Sequence, residues 1–142
     1  MPTEYPDYSK VEYWNARYRE ERGLVFDWYL GWKQGLRDIV IPRLYDDKEA
    51  EILIVGCGNS GKQIMISFQI EISEMMYEEG YHYITNADFS PVCIEEMRER
   101  NAHLDEMDYV EMDLTEPLDI LDSESFTCIV DKGTLDCVAC SD

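Results

Sequence analysis

Apolar and polar residues alternate along the chain in blocks that predict helices and strands in turn. The clearest block is Ile52–Val55, four β-favouring residues that end at Gly56, which is typical of a central parallel strand buried on both faces. Before it, aromatic and aliphatic residues at helical spacing predict helices over residues 10–22 and 26–40. After it, the pattern predicts a helix over 72–79, a strand over 81–87, a helix from 91 to about 101, and strands over 109–112 and 126–130.

Two local features sharpen the helix predictions. The second helix carries an apolar stripe of Trp28, Trp32, Leu36 and Ile39. The fourth begins at Ser90-Pro91, a cap residue followed by a proline in the first turn. Strands alternating with helices predict an α/β fold, a doubly wound parallel sheet with N-terminal helices. Such sheets bind ligands beyond the carboxyl ends of their strands.

The charge distribution narrows the choice of partner. The chain has 142 residues, the length of one domain, and its 12 basic and 31 acidic residues give a net charge of −19. Residues 1–70 hold 9 basic and 11 acidic residues, whereas residues 71–142 hold 3 and 20. We expect no nucleic-acid partner, because phosphates require a basic surface. The acidic second half favours a basic protein partner, although a solvated acidic surface explains the same count.

The five cysteines do not form a metal-binding pattern. Cys137 and Cys140 are spaced C-x-x-C, but the sequence shows no Cys or His cluster that completes a site, so no metal is predicted. No signal peptide and no apolar run of about 18 residues is present. We therefore expect a reduced, cytoplasmic protein with no membrane partner.

Glycine and aspartate stand at the predicted strand ends. Gly56, Gly58 and Gly61 spell G-x-G-x-x-G after the first strand, which lets backbone N–H groups approach a ligand, although a plain strand-to-helix turn needs the same glycines. Asp88 ends the second strand, where a carboxylate accepts hydrogen bonds from ribose hydroxyls. Asp113 ends the third, where a carboxylate suits an adenine amino group. Each aspartate alone is equally a cap or loop residue; together they favour a nucleoside site.

Two nucleoside cofactors suit such a site, NAD and S-adenosylmethionine. A dinucleotide places its pyrophosphate on a helix N-terminus. S-adenosylmethionine carries a sulfonium, which aromatic faces hold by cation–π attraction. Trp14, Tyr18 and Trp28 precede the first strand and are candidates for an aromatic lid. Helix packing is the alternative explanation for all three and the preferred one for Trp32.

Six short motifs follow one another in a recognisable order: Y-W-N-A-R-Y at 13–18, F-D-W-Y at 26–29, I-L-I-V-G-C-G-N-S at 52–60, D-F-S at 88–90, M-D at 112–113 and D-K-G-T-L-D at 131–136. Together they resemble the class I, seven-β-strand methyltransferases, in particular the eukaryotic lysine methyltransferases that act on translation elongation factor 1-alpha. The resemblance implies a Rossmann-like fold, S-adenosyl-L-methionine as the methyl donor, and elongation factor 1-alpha as the protein substrate.

The resemblance also implies a donor-binding set: Trp14, Tyr18, Trp28, Gly56, Gly58, Asp88, Phe89, Asp113, Leu114 and Lys132. Within it, Asp88 holds the ribose, Asp113 reads the adenine edge, and Lys132 pairs with the donor carboxylate or with Asp131, a surface lysine being the alternative. The implied reaction is in-line attack of a neutral lysine ε-amine on the sulfonium methyl. Because desolvation lowers a lysine pKa, the reaction requires no strong general base. Asp131 is a candidate for orienting the amine.

Residues 61–70 depart from the family pattern, in which a helix follows G-C-G-N-S directly. Removing them shortens the separation of Gly56 and Asp88 from 32 to 22 residues, near the roughly 20 expected. The flanking codons can carry intron-like ends, so we hypothesise a retained short intron here. We predict a single, incomplete methyltransferase domain over 1–142, C-terminally truncated because the family continues past D-K-G-T-L-D. It divides into a helical lid over 1–48 and the cofactor-binding first strands over 49–142.

Two other functions stay open at this point. One is a truncated, non-catalytic domain that binds a nucleoside or a partner protein. The other is an NAD-dependent oxidoreductase, which G-x-G-x-x-G alone favours. The aromatic lid and D-K-G-T-L-D count against the oxidoreductase.

Overall fold

A computed structural model describes residues 6–20, 31–59, 72–117, 121–131 and 133–139. Within these ranges the strands are β1 (Ile52–Val55), β2 (Ile84–Asp88), β3 (Met107–Glu111) and β4 (Cys128–Asp131). They form one parallel sheet in the order β3-β2-β1-β4. The order reverses direction after β3, which confirms the predicted doubly wound α/β sheet.

Strand β1 lies between β2 and β4. Ile52 pairs with Ile84 on one side and with Cys128 on the other. All four residues of β1 are buried, as their apolar run predicts. Because the strands are parallel, their carboxyl ends lie at one edge of the sheet, and the strand order reverses between β1 and β4.

The described helices are α1 (Val11–Glu20), α2 (Arg37–Val40), α3 (Ile72–Glu78), α4 (Pro91–Arg100) and α5 (Thr134–Ala139). Helix α4 begins as predicted: the backbone N–H of Cys93 donates to Ser90 Oγ at 3.2 Å, and Pro91 occupies the first turn. Helix α5 was not predicted, because six residues are too few to show a helical period.

The predicted helix over 26–40 is described only from residue 31, and there it is not continuous. Gly35 has a φ of +139°, which breaks the helix inside the segment Trp32–Leu36, just before α2 begins. The break shifts the buried stripe by one residue, so the prediction for Ile39 is wrong: Ile39 is 48% exposed and Val40 is 5% exposed. Trp32 is buried in the core, in agreement with a packing role.

The bounds of three strands also differ from prediction, by one to three residues at each end. Strand β2 begins at Ile84 rather than at residue 81, because pairing starts opposite Ile52. Tyr81 precedes the strand and is completely buried, so its apolar character reflects the core and not the sheet. Strands β3 and β4 begin at Met107 and Cys128.

The two faces of the sheet are covered unequally. The larger core cluster packs helices α3 and α4 against one face and includes Ile52, Ile54, Ile84, Val130, Met76 and Met97. The other face carries a smaller cluster of Leu53, Val55, Ala87 and Met112. Among the described helices, none has the length and apolar character needed to cross a membrane.

Candidate functional site

The glycine turn after β1 is shaped by its backbone and by a side chain from α5. Gly56 and Gly58 have φ values of +64° and +68°, a conformation that L side chains rarely adopt. A Cβ on Gly56 would lie 1.6 Å from Thr134 Oγ1. Thr134 donates its hydroxyl to the carbonyl of Val55 at 3.2 Å. The G-C-G and D-K-G-T-L-D motifs are therefore in direct contact, and any side chain at Gly56 would be strained and would clash with Thr134.

Asp88 lies at the centre of the strand ends and is 5% exposed. Its Oδ2 accepts the backbone N–H of Gly58 at 3.1 Å, and its Oδ1 accepts the N–H of Ser90 at 2.9 Å. The hydroxyl of Tyr18 donates to Oδ2 over a longer 3.4 Å. The structure thus brings together three of the residues that the resemblance implies for the donor: Tyr18, Gly58 and Asp88.

Burial dominates the electrostatics of this pair of side chains. Desolvation raises the pKa of Asp88, although the N–H groups of Ser90 and Gly58 oppose the shift. Desolvation, together with the adjacent Asp88 carboxylate, raises the pKa of the Tyr18 phenol well above its usual value. Tyr18 therefore donates its hydrogen bond as a neutral phenol, and the buried carboxyl group of Asp88 gains from further donors.

Helix α1 holds the aromatic residues beside this carboxylate. The ring of Trp14 lies 5.9 Å from that of Tyr18, and its indole N–H donates to the carbonyl of Tyr8 at 2.8 Å. The Arg17 guanidinium lies 5.6 Å from the Trp14 ring centroid. The helix is tied to the start of α4, because Ser90 Oγ donates to Asn15 Oδ1 at 2.5 Å. Tyr18 is thus held beside the ends of β1 and β2, with Trp14 packed against it.

The aspartates of the outer strands behave differently. Asp113 is exposed, and its Oδ1 accepts the N–H and the hydroxyl of Thr115 at 2.8 and 2.7 Å. Asp131 is exposed and accepts the N–H groups of Thr134 and Leu135 at 3.0 and 3.3 Å, so it caps α5. Each carboxylate thus stabilises its own loop.

Four further residues belong to the donor-binding set that the resemblance implies. Phe89 follows Asp88 and is partly buried. The side chain of Leu114 packs on the smaller core cluster, beside Met112. Trp28 and Lys132 lie outside the described residues, as does the predicted insertion over 61–70. Their assignments stay predictions.

The structure adds contacts around the site that the sequence did not predict. Asn15 and Ser90 join α1 to α4, and Thr134 supports the glycine turn. The Cys93 thiol donates to Asp88 from the first turn of α4. Of these, Thr134 had a signal in D-K-G-T-L-D; Cys93 had none, because 36 residues separate it from Cys57 in the glycine turn.

The chain is similar to characterised methyltransferases along almost its whole length. It is 34% identical over 139 residues to the Bos taurus protein named "eEF1A lysine and N-terminal methyltransferase", and 32% identical over 139 residues to the Homo sapiens protein of that name. It is 32% identical over 140 residues to the Mus musculus "EEF1A lysine methyltransferase 4". No protein-family model matches the chain.

These matches cover almost all of this chain but only part of each relative. The first two include 97% of this chain but only 18% of the relative, and the third includes 95% of this chain and 49% of the relative. The chain thus spans about a fifth to a half of the length of these relatives. Over that part, the resemblance to the eEF1A lysine methyltransferases is confirmed.

Proposed function

We propose that this chain, with its resemblance to the eEF1A lysine methyltransferases, forms the donor-binding part of an S-adenosylmethionine-dependent methyltransferase that acts on a lysine ε-amine of eEF1A. The observation that carries the proposal is the position of Asp88. Its buried carboxylate is held by the N–H groups of Gly58 and Ser90 at the strand edge where α/β sheets bind ligands. The names of the relatives supply the reaction class and the substrate.

The residues around Asp88 fit a ribose. The two backbone N–H groups hold the carboxylate at 2.9 and 3.1 Å, whereas the Tyr18 hydroxyl, at 3.4 Å, is the weaker donor. A ribose hydroxyl replaces the Tyr18 hydroxyl at lower cost than either N–H group. The backbone contacts then keep the carboxylate in place while it accepts from the sugar.

The aromatic residues of α1 fit the donor's positive charge. When bound, the donor supplies an electrophilic methyl group on a sulfonium. The Arg17 guanidinium lies 5.6 Å from the Trp14 ring centroid, and this cation–π contact supports a role for the cluster beside a positive charge. We assign Tyr18, which borders both Gly58 and Asp88, to the donor, and Trp14 to holding Tyr18 in place. Trp28 stays a predicted second aromatic wall.

The acceptor is a lysine amine that must lose its proton before it attacks. An acidic surface attracts a basic substrate, and residues 71–142 carry 20 acidic and 3 basic residues. Desolvation beside the aromatic residues lowers the lysine pKa, and alignment with the methyl group supplies much of the rate. Asp131 caps α5 through Oδ1, and we assign its carboxylate an orienting role toward the incoming amine.

Transfer of a radiolabelled methyl group from S-adenosylmethionine to purified eEF1A, catalysed by the 142-residue chain, tests the proposal. We expect label in a lysine of eEF1A, and more of it with a variant that lacks residues 61–70, because the predicted insertion follows the glycine turn. Asp131→Asn should lower transfer and leave donor affinity unchanged. Donor binding without transfer by either form would favour a non-catalytic binding domain, and binding of NAD alone would overturn the proposal.

A further inference from the structure

Three side chains with metal-binding atoms converge where β1 and β2 end. Cys57 follows β1, Asp88 ends β2 and Cys93 lies in the first turn of α4. The two sulfur atoms and a carboxylate oxygen all lie within 4.8 Å of one another. Cys93 is 0% exposed and Asp88 is 5% exposed, so two of the three groups are almost completely removed from solvent.

The backbone holds these groups in place without a ligand. The N–H of Cys57 donates to the carbonyl of Ala87 at 3.0 Å, which fixes the glycine turn against β2. The N–H of Cys93 donates to Ser90 Oγ at 3.2 Å, which fixes the first turn of α4. Because Ser90 also donates its own N–H to Asp88, one capping residue positions two of the three groups. The cluster is therefore preorganised by secondary structure.

Two thiolates and a carboxylate form a ligand set that selects a thiophilic, tetrahedral cation such as Zn²⁺ over Mg²⁺ or Ca²⁺. Zn–S bonds of about 2.3 Å in a tetrahedron place two sulfurs about 3.8 Å apart. From separations of at most 4.8 Å, the ligands need to move by no more than about 1 Å. Three protein ligands leave a fourth position open.

We propose that Zn²⁺ binds to Cys57, Asp88 and Cys93, and that bound Zn²⁺ excludes the methyl donor from the site. As the Zn–S bonds form, each thiol releases its proton to solvent, and Cys93 gives up its hydrogen bond to Asp88. The Asp88 oxygen that coordinates the metal is then unavailable to a ribose. The exclusion rests on the proposed function, whereas the metal site does not.

The chain offers matched variants for a test. Cys93→Val removes a ligand at nearly constant volume in a buried position, and Cys57→Ser removes one in a partly buried position where packing changes least. Cys128→Val and Cys137→Ser remove thiols outside the cluster; the second also disables the C-x-x-C pair. Thermal unfolding of each variant, followed by circular dichroism, checks that it is folded.

The metal site is tested by titrating the reduced, full 142-residue chain with Cd²⁺, which reports thiolate ligation by its ultraviolet charge-transfer absorption, and with Zn²⁺ against a chromophoric chelator. We expect one equivalent to bind, with affinity at least about tenfold lower in Cys93→Val and Cys57→Ser and unchanged in the two control variants. Binding that survives both cluster variants, or that is lost in Cys137→Ser, would overturn the site.

Calorimetric titration with S-adenosylhomocysteine, with and without one equivalent of Zn²⁺, tests the exclusion. We expect Zn²⁺ to lower the affinity at least about tenfold in the unmodified chain and not at all in Cys93→Val. Equal affinity with and without bound Zn²⁺ would overturn the exclusion. Zn²⁺ binding with no S-adenosylhomocysteine binding would support the metal site and overturn the proposed function, and the reverse result would overturn the metal site alone.

Discussion

The ends of the two inner strands, β1 and β2, differ sharply from those of the two outer strands, β3 and β4. At the inner ends, Gly56 fits against Thr134, and Asp88 is buried among donors from three parts of the chain: α1, the glycine turn and the start of α4. At the outer ends, Asp113 and Asp131 are exposed and accept hydrogen bonds from residues two to four positions further on.

The difference shows that a residue type at a strand end does not by itself define its role. Asp88, Asp113 and Asp131 lie at or just after the carboxyl ends of β2, β3 and β4, yet among these three only Asp88 has long-range hydrogen-bond partners. Burial makes its hydrogen bonds energetically costly to lose, whereas solvent substitutes for those of the exposed pair. The inner ends are therefore a preorganised site, and the outer ends are loops that a ligand must recruit.

The largest effect is expected at Gly56, the first residue after β1. Gly56→Ala combines a positive φ with a Cβ placed 1.6 Å from Thr134 Oγ1, so we expect a loss of about 2 kcal/mol or more in the free energy of unfolding and loss of donor binding. Gly80→Ala is the matched control: its φ is +91°, but its nearest neighbour, Lys48 Cδ, is 3.8 Å away. The difference between the two losses in unfolding free energy, measured by urea unfolding, isolates the cost of the clash with Thr134 from the cost of the positive φ. Equal losses would contradict that contact.

The second-largest effect is expected at the buried carboxylate of Asp88, compared with the exposed carboxylate of Asp113. Asp88→Asn should weaken binding of S-adenosylhomocysteine about 10- to 100-fold, because a charged acceptor of ribose hydroxyls is lost. Asp113→Asn should change the affinity less than about threefold, since the amide retains a carbonyl acceptor in an exposed position. Calorimetry of both variants provides the comparison. A greater loss in Asp113→Asn would reverse the ranking of inner and outer ends.

The pH dependence of stability provides a test of the burial of Asp88. Its pKa is raised in the folded chain, so the folded state favours the protonated form. The resulting stabilisation is fully present below about pH 3.9, the pKa of Asp88 in the unfolded chain. It is lost as the pH rises through the pKa of Asp88 in the folded chain. The unfolding free energy of the unmodified chain relative to Asp88→Asn should therefore fall over that window and then level off. Urea titrations at a series of pH values measure it, with Asp113→Asn as the control for removal of one charge.

A rise in that difference with increasing pH would contradict the assigned direction. It would mean that the hydrogen bonds from Gly58 and Ser90 outweigh desolvation.

The smallest effect is expected at the end of β4. Asp131→Ala removes the acceptor for the N–H groups of Thr134 and Leu135, so we expect a loss of about 1 kcal/mol in unfolding free energy with no change in donor affinity. Asp131→Asn, which retains a capping oxygen, should recover most of that stability. A fall in donor affinity in Asp131→Ala but not in Asp131→Asn would contradict the expected result and would couple the cap of α5 to donor binding.

The sequence was most informative where several local signals agreed. The run Ile52–Val55 with its following glycine predicted β1 with the observed bounds, and Ser90-Pro91 predicted the start of α4. Prediction failed where a single residue changed the geometry, as at Gly35, whose positive φ moved the buried position from Ile39 to Val40. It also failed for α5, where a short helix depends on a carboxylate cap.

The site, like the fold, could be predicted where the signal was local in the sequence and not where it depended on packing. Aspartates at strand ends were visible in the sequence, but the convergence of Tyr18, Asp88 and Cys93 was not, since it depends on how α1 and α4 pack against the sheet. The contact between Gly56 and Thr134 joins residues 78 positions apart, and each was visible only within its own motif.

Calorimetric titration of the 142-residue chain with S-adenosylhomocysteine and with NAD tests the central claim most directly, with Asp88→Asn and Asp131→Asn measured alongside. We expect saturable binding of S-adenosylhomocysteine, no binding of NAD, a loss of about 10- to 100-fold in Asp88→Asn, and no loss in Asp131→Asn. Binding of NAD without S-adenosylhomocysteine, or equal affinities for S-adenosylhomocysteine in the unmodified chain and Asp88→Asn, would contradict a methyl-donor site built on the inner strand ends.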